Sequence, residues 1–128
     1  MSEKTKLYID PEGGIAGDIF TAALISMGAP EELIVERMER AAQKLGEARV
    51  EAKTITGGGR RLKIDLHSRE NHLEEERSKQ ILEELFEEFN TCDQYRTFGR
   101  KILHILLEAE KKAHSEFFFL MTNLTLVP

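Results

Sequence analysis

The chain has 128 residues, of which 41% are hydrophobic and 32% are charged, a balance that is ordinary for one soluble globular domain. Its formal net charge of −5 leaves no basic stripe to neutralise phosphates, which argues against a nucleic-acid-binding protein and against binding to an anionic membrane surface. The single cysteine, Cys92, has no internal disulfide partner, and no signal-peptide core opens the chain. We therefore expect a cytoplasmic protein.

The first informative stretch, residues 6–18, has the pattern of a strand, an acidic glycine turn and the start of a helix. Residues 7–9 are Leu-Tyr-Ile and favour a strand, which Pro11 would end because proline cannot donate to a ladder. Asp18 is expected to cap the helix that follows, by accepting hydrogen bonds from free N–H groups one turn on.

A glycine turn between a strand and a helix N-terminus is typical of an anion-binding site, because unpaired N–H groups converge there. Gly14 and Gly17 would let the backbone approach a ligand closely. This turn is acidic, however, since it carries Asp10, Glu12 and Asp18. A phosphate would need a metal ion or a distant cation here, and a tight turn with a helix cap is the alternative interpretation.

Apolar residues at helical spacing predict four helices, over residues 19–27, 30–45, 78–90 and 91–115. Thr91 followed by Gln94 has the form of a capping box for the last helix. Polar–apolar alternation predicts two strands, over residues 49–56 and 61–67.

Three glycines at positions 57–59 join these two strands and are most simply a hairpin loop, although with Arg60 and Arg61 they could also close over an anion. We thus predict an α/β fold in two layers, in which a small sheet of the N-terminal strand and the hairpin packs with about four helices. The apolar, uncharged tail, residues 117–128, could add a strand or form an exposed, adhesive end.

The opening of the chain resembles the N-terminus of the LarC family of nickel-insertion proteins. The residues that carry the resemblance are Tyr8-Ile9-Asp10, Gly13-Gly14-Ile15-Ala16-Gly17-Asp18-Ile19-Phe20, Ala23-Leu24 and Gly28-Ala29-Pro30. Gly13 and Ala16 stand where serine is usual in that family. The resemblance covers nearly all of residues 6–116, which correspond to the N-terminal third of the family's chains.

What the resemblance implies is insertion of nickel into the pyridinium-3,5-bisthiocarboxylic acid mononucleotide cofactor of lactate racemase. The resemblance also implies the activity of the full-length family members, which are CTP-dependent nickel chelatases of the lyase type that use Mg or Mn. His67 and His72 flank a polar loop like the family's histidine-rich segment, and His114 resembles its histidine at the end of the last helix. The residues assigned by resemblance are Asp10, Gly14, Gly17 and Asp18 for cofactor binding and His67, His72 and His114 for nickel.

After His114 the family's further histidines and glutamate are absent. We therefore expect a LarC-like domain over residues 1–116, an apolar tail over residues 117–128, and little activity from this chain alone. A truncated or frame-shifted product would explain the missing family residues, as would a second chain that carries the C-terminal region. We also expect a homo-oligomer and neither nucleic acid nor membrane as a partner. The alternatives are a non-catalytic assembly module and a simple metal-binding domain.

Overall fold

The computed structural model of the protein describes residues 3–69 and 72–124, with the backbone alone described for residues 117–124. The elements in chain order are α1 (Gly17–Ser26), α2 (Glu31–Gln43), β1 (Gly46–Thr54), β2 (Arg60–Ser68), α3 (Glu75–Glu88) and α4 (Asp93–Leu124). They form two compact units, of which the first ends at Arg69 and the second begins at Glu70. Within the described ranges, no helix combines the length and the apolar character that a membrane crossing requires.

The first unit is a two-layer α/β structure in which two helices cover one face of an antiparallel hairpin. Strands β1 and β2 pair in the register that places Val50 opposite Ile64 and Ala52 opposite Leu62. Helix α2 packs on β1 and helix α1 packs on β2. The core residues are Ala22, Ile25 and Leu62, with Ile34, Val35, Met38 and Ala52 packed around them. The predicted α/β class and the predicted hairpin are confirmed.

The second unit is a helical hairpin of α3 and α4. Its buried side chains include Phe86 on α3 and Leu107 on α4. A Cβ on Gly99 would lie 2.8 Å from the Phe86 ring, so the glycine lets the two helices approach closely at this point. The guanidinium groups of Arg96 and Arg100 lie 5.9 and 5.6 Å from the centre of the same ring. The described part of this unit therefore has a narrow core made by two helices.

The predicted N-terminal strand is wrong. Residues 3–15 contain no helix or strand, and the sheet consists of β1 and β2. Leu7, Tyr8 and Ile9 are 52%, 90% and 49% exposed. Strand-favouring residues gain stability from a neighbouring ladder, and no strand among the described residues pairs with residues 7–9.

Two predicted helix caps are also wrong. Helix α1 begins at Gly17, its N-cap is Ala16, and no side chain caps it, so Asp18 lies inside the first turn. Helix α4 begins at Asp93, and the carbonyl of Cys92 accepts hydrogen bonds from the N–H groups of residues 95 and 96. The cap position is thus one residue beyond Thr91, so the predicted capping box does not match the observed start.

Helix α4 continues to Leu124, well past the end predicted at residue 115. The suggestion that the tail adds a strand is therefore wrong for residues 117–124, while residues 125–128 lie outside the described residues, as do the side chains from 117 on. The boundary predicted between residues 116 and 117 falls inside this helix and stays a prediction.

Candidate metal-binding site

The acidic turn of the first unit is built by its own backbone. The N–H of Gly14 donates to the carbonyl of Pro11 at 2.9 Å, which closes a tight turn. Gly13 and Gly14 have φ angles of +89° and +95°, a left-handed conformation that favours glycine. The carboxylate of Asp10 accepts a hydrogen bond from the N–H of Glu12 at 3.0 Å. Asp10 thus has a structural role in this turn.

The other two residues predicted to bind the cofactor lie at the start of α1. Gly17 is the first residue of the helix and Asp18 is in its first turn, where a negative charge is favourable. Both are exposed, and a Cβ added at Gly14 or Gly17 would meet no atom within 4 Å. The predicted cofactor-binding residues are therefore neighbours on an open surface of the first unit.

The three histidines predicted to bind nickel are divided between the two units. His67 is exposed on β2, opposite Glu47 of β1. His72 stands before α3, and His114 is on α4. Within the second unit the rings of His72 and His114 come close, with centroids 6.5 Å apart and planes at 83°.

These two imidazoles line an open groove of about 690 Å³ within the second unit. Nε2 of His114 lies 3.7 Å from a carboxylate oxygen of Glu110, one helical turn before it. The lining residues are His72, Leu73, Glu75, Leu107, Glu110, Lys111, His114 and Ser115. Two imidazoles and a carboxylate thus line the same solvent-accessible groove.

A second carboxylate in the groove, that of Glu75, already has partners. It accepts from Nζ of Lys111 at 2.6 Å and from Nζ of Lys79 at 2.8 Å. The hydrogen bond from Lys111, followed by that from Lys79, lowers the pKa of Glu75 to about 2. Glu75 is therefore ionised at neutral pH, and the two ammonium groups compete with any metal ion for its oxygens.

Imidazole nitrogen with a carboxylate oxygen is a donor set that suits Ni²⁺ and its neighbours in the first transition row. The described residues hold no cluster of three or more His, Cys, Asp or Glu side chains arranged to bind a metal ion. The groove thus offers two imidazoles and one adjacent carboxylate, without a closed cage. An open site with few ligands can accept an ion and release it again.

Glu110 and the Glu75–Lys111 ion pair were not predicted from the sequence. Glu110 could have been found, because residues four apart on a helix are neighbours and it precedes His114 by four. The Glu75–Lys111 pair joins two helices, and no local spacing in the sequence indicates it.

The described structure thus contains an α/β unit and a helical unit whose open groove is lined by two imidazoles. A family model described as "Nickel insertion protein" matches residues 7–118. The chain belongs to this nickel insertion family, and the resemblance to LarC is thereby confirmed.

A Geobacter sulfurreducens protein named "Putative nickel insertion protein" is 28% identical over 113 residues, which cover 84% of this chain. The aligned region covers 28% of that relative's length. No solved structure matches the chain significantly.

Proposed function

We propose that this chain binds Ni²⁺ as cargo in the groove of its second unit and contributes this step to nickel insertion. The observation that carries the proposal is the 6.5 Å approach of the His72 and His114 rings beside Glu110. Membership of the nickel insertion family supports nickel as the ion.

The two rings are close to a distance at which they could share an ion. With metal–nitrogen bonds of about 2 Å, two imidazoles on adjacent coordination positions have ring centres roughly 5 Å apart. The observed 6.5 Å separation requires a small approach by rotation of the side chains. Both histidines are exposed and can turn without disturbing a core. Glu110 can then supply a third ligand or hold a histidine in position.

We propose further that the ion is destined for the pyridinium-3,5-bisthiocarboxylic acid mononucleotide, in a CTP-dependent lyase-type reaction with Mg or Mn, in the cytoplasm. The aligned region covers 28% of the relative's length, so we assign the nucleotide-dependent steps to sequence that corresponds to the rest of that relative. The acidic turn with Asp10, Gly14, Gly17 and Asp18 is the proposed contact for the cofactor. A metal ion between the turn and the cofactor's phosphate would offset the repulsion.

The test is calorimetric titration of Ni²⁺ into the chain and into a His72→Ala/His114→Ala variant. We expect saturable binding near one ion per chain, and we expect the variant to lose it. His67→Ala and His104→Ala are matched controls, since both residues are exposed histidines outside the groove. Each control should bind nickel as the unchanged chain does.

Two results would contradict the proposal. One is an unchanged affinity in the double variant, which would place the ion elsewhere. The other is loss of binding in His67→Ala, which would move the site to β2. Glu110→Gln is expected to weaken binding by about tenfold, because removal of an auxiliary ligand or positioning partner typically costs this much.

A further inference from the structure

The face of α4 that points away from α3 is apolar and exposed. Its large side chains, which are 43–65% exposed, are Tyr95, Phe98, Ile102, Ile105 and Leu106. The opposite face is turned to α3, because Arg96 binds Glu87, Arg100 binds Glu83, and Leu107 is buried. At about 100° per residue, the centre of the apolar stripe lies well over a third of a turn from that face.

The stripe has the period of a helix that packs against another helix. Tyr95, Phe98, Ile102, Ile105 and Ala109 follow one another at alternating steps of three and four, which is the a/d pattern of a coiled coil. Within the described residues, the second unit contains α3 as the one helix packed on α4. A helix that is apolar on two faces requires a partner on each, so the outer face lacks its partner.

We propose that this face binds a second copy of the chain, with the two α4 helices antiparallel about a two-fold axis between Ile102 and Ile105. Ile102 then packs against the partner's Ile105, and Phe98 packs against the partner's Ala109. In the two Phe98–Ala109 layers, a large ring lies opposite a small side chain, so each of these layers is filled without excess volume. At each end Tyr95 meets the partner's Lys112, where an ammonium group over an aromatic ring is favourable.

Charge complementarity selects this arrangement. In an antiparallel pair of this register, position 101 of one chain faces position 108 of its partner across the seam. These positions are Lys101 and Glu108, so each interface gains two Lys101–Glu108 ion pairs by symmetry. Glu108 now makes an exposed pair with Lys111 at 3.5 Å, which is weak and easily exchanged. A parallel pair would instead place Lys101 beside the partner's Leu106.

The other flank of the seam is equally compatible. Here Leu106 faces the partner's Gly99 and the Phe86 ring that packs over that glycine, which is an apolar surface. Leu106 is 61% exposed in the single chain and would be covered. A second copy thus buries the apolar stripe from end to end and pairs both charges that border it.

Sedimentation equilibrium of the full chain over a wide concentration range is the first test. We expect a monomer–dimer equilibrium that Ile105→Asp abolishes. Lys101→Glu should weaken the dimer by about tenfold or more, because two ion pairs become two repulsions. The double variant Lys101→Glu/Glu108→Lys keeps the net charge and should restore the dimer. Circular dichroism checks that each variant retains its helices.

Cysteine cross-linking in a Cys92→Ser background tests the direction of the helices. Phe98→Cys mixed with Ala109→Cys should form a mixed disulfide, and neither variant should link to itself. Self-linking of Ala109→Cys would mean parallel helices and overturn the arrangement. A monomer at every concentration, or a dimer that Ile105→Asp and Lys101→Glu both leave unchanged, would overturn the proposed surface.

Discussion

At the scale of single residues, the clearest steric constraint is at Gly46, the first residue of β1. A Cβ there would lie 2.0 Å from the carbonyl oxygen of His67 on the paired strand. Gly46→Ala must therefore push the strands apart, and we expect the free energy of unfolding to fall by about 2 kcal/mol in urea titrations. Gly17→Ala is the control, because a Cβ there meets nothing within 4 Å and alanine favours a helix. Equal losses in both variants would contradict the steric explanation.

Glu75 gives a second prediction at this scale. Lys111→Ala removes the hydrogen bond that contributes most to the lowered pKa of Glu75. This pKa should therefore rise from about 2 towards 4.5. Because the folded pKa is lowered, the stabilisation is present above pH 4.5 and is lost as the pH falls towards 2. Carboxyl NMR titration measures the shift, with Lys112→Ala as the control. An unchanged pKa would mean that Lys79 alone holds the carboxylate.

At the scale of secondary-structure elements, the predictions of the hairpin and of the end of α1, which rest on local sequence patterns, were confirmed. The prediction that depended on pairing with a distant strand was wrong. The β1–β2 hairpin was predicted because its strands alternate and its loop is three glycines, with φ of +99° and +88° at Gly57 and Gly58. Gly28 also ends α1 in the predicted left-handed conformation, at φ +107°. Residues 7–9 have equally good strand propensity, but pairing with a sheet edge depends on tertiary structure.

Arg60 joins three elements of the first unit and should stabilise them together. Its guanidinium binds Glu31 at the start of α2 and Thr54 across the hairpin. The backbone N–H of Arg60 donates to Oγ of Ser26 at 3.0 Å. Its side chain is only 22% exposed. Arg60→Ala should lower the free energy of unfolding by about 1–2 kcal/mol, since it leaves Glu31 unpaired. Arg61→Ala, on an exposed neighbour, should change it by less than about 0.5 kcal/mol; a similar loss in both would contradict this role.

At the scale of the whole molecule, the predicted chemistry is divided between two compact units. The acidic turn lies in the first unit and the histidine groove lies in the second. The resemblance assigned three histidines to nickel, but it could not show that His72 approaches His114 while His67 is on the other unit. Only the tertiary packing of the second unit brings a residue before α3 next to one late in α4.

This division makes the location of nickel a testable property of the whole chain. If the ion binds in the groove, amide hydrogen exchange should slow in α3 and around residues 104–114. When the free Ni²⁺ concentration is about a hundred times the Kd, amides that exchange by unfolding of this unit should gain about 2.7 kcal/mol of protection. Strands β1 and β2 and residues 10–18 should exchange as before, and His72→Ala/His114→Ala should abolish the gain. Protection that appears at residues 10–18 instead would move nickel binding to the acidic turn, where Asp10 and Asp18 supply the oxygen ligands.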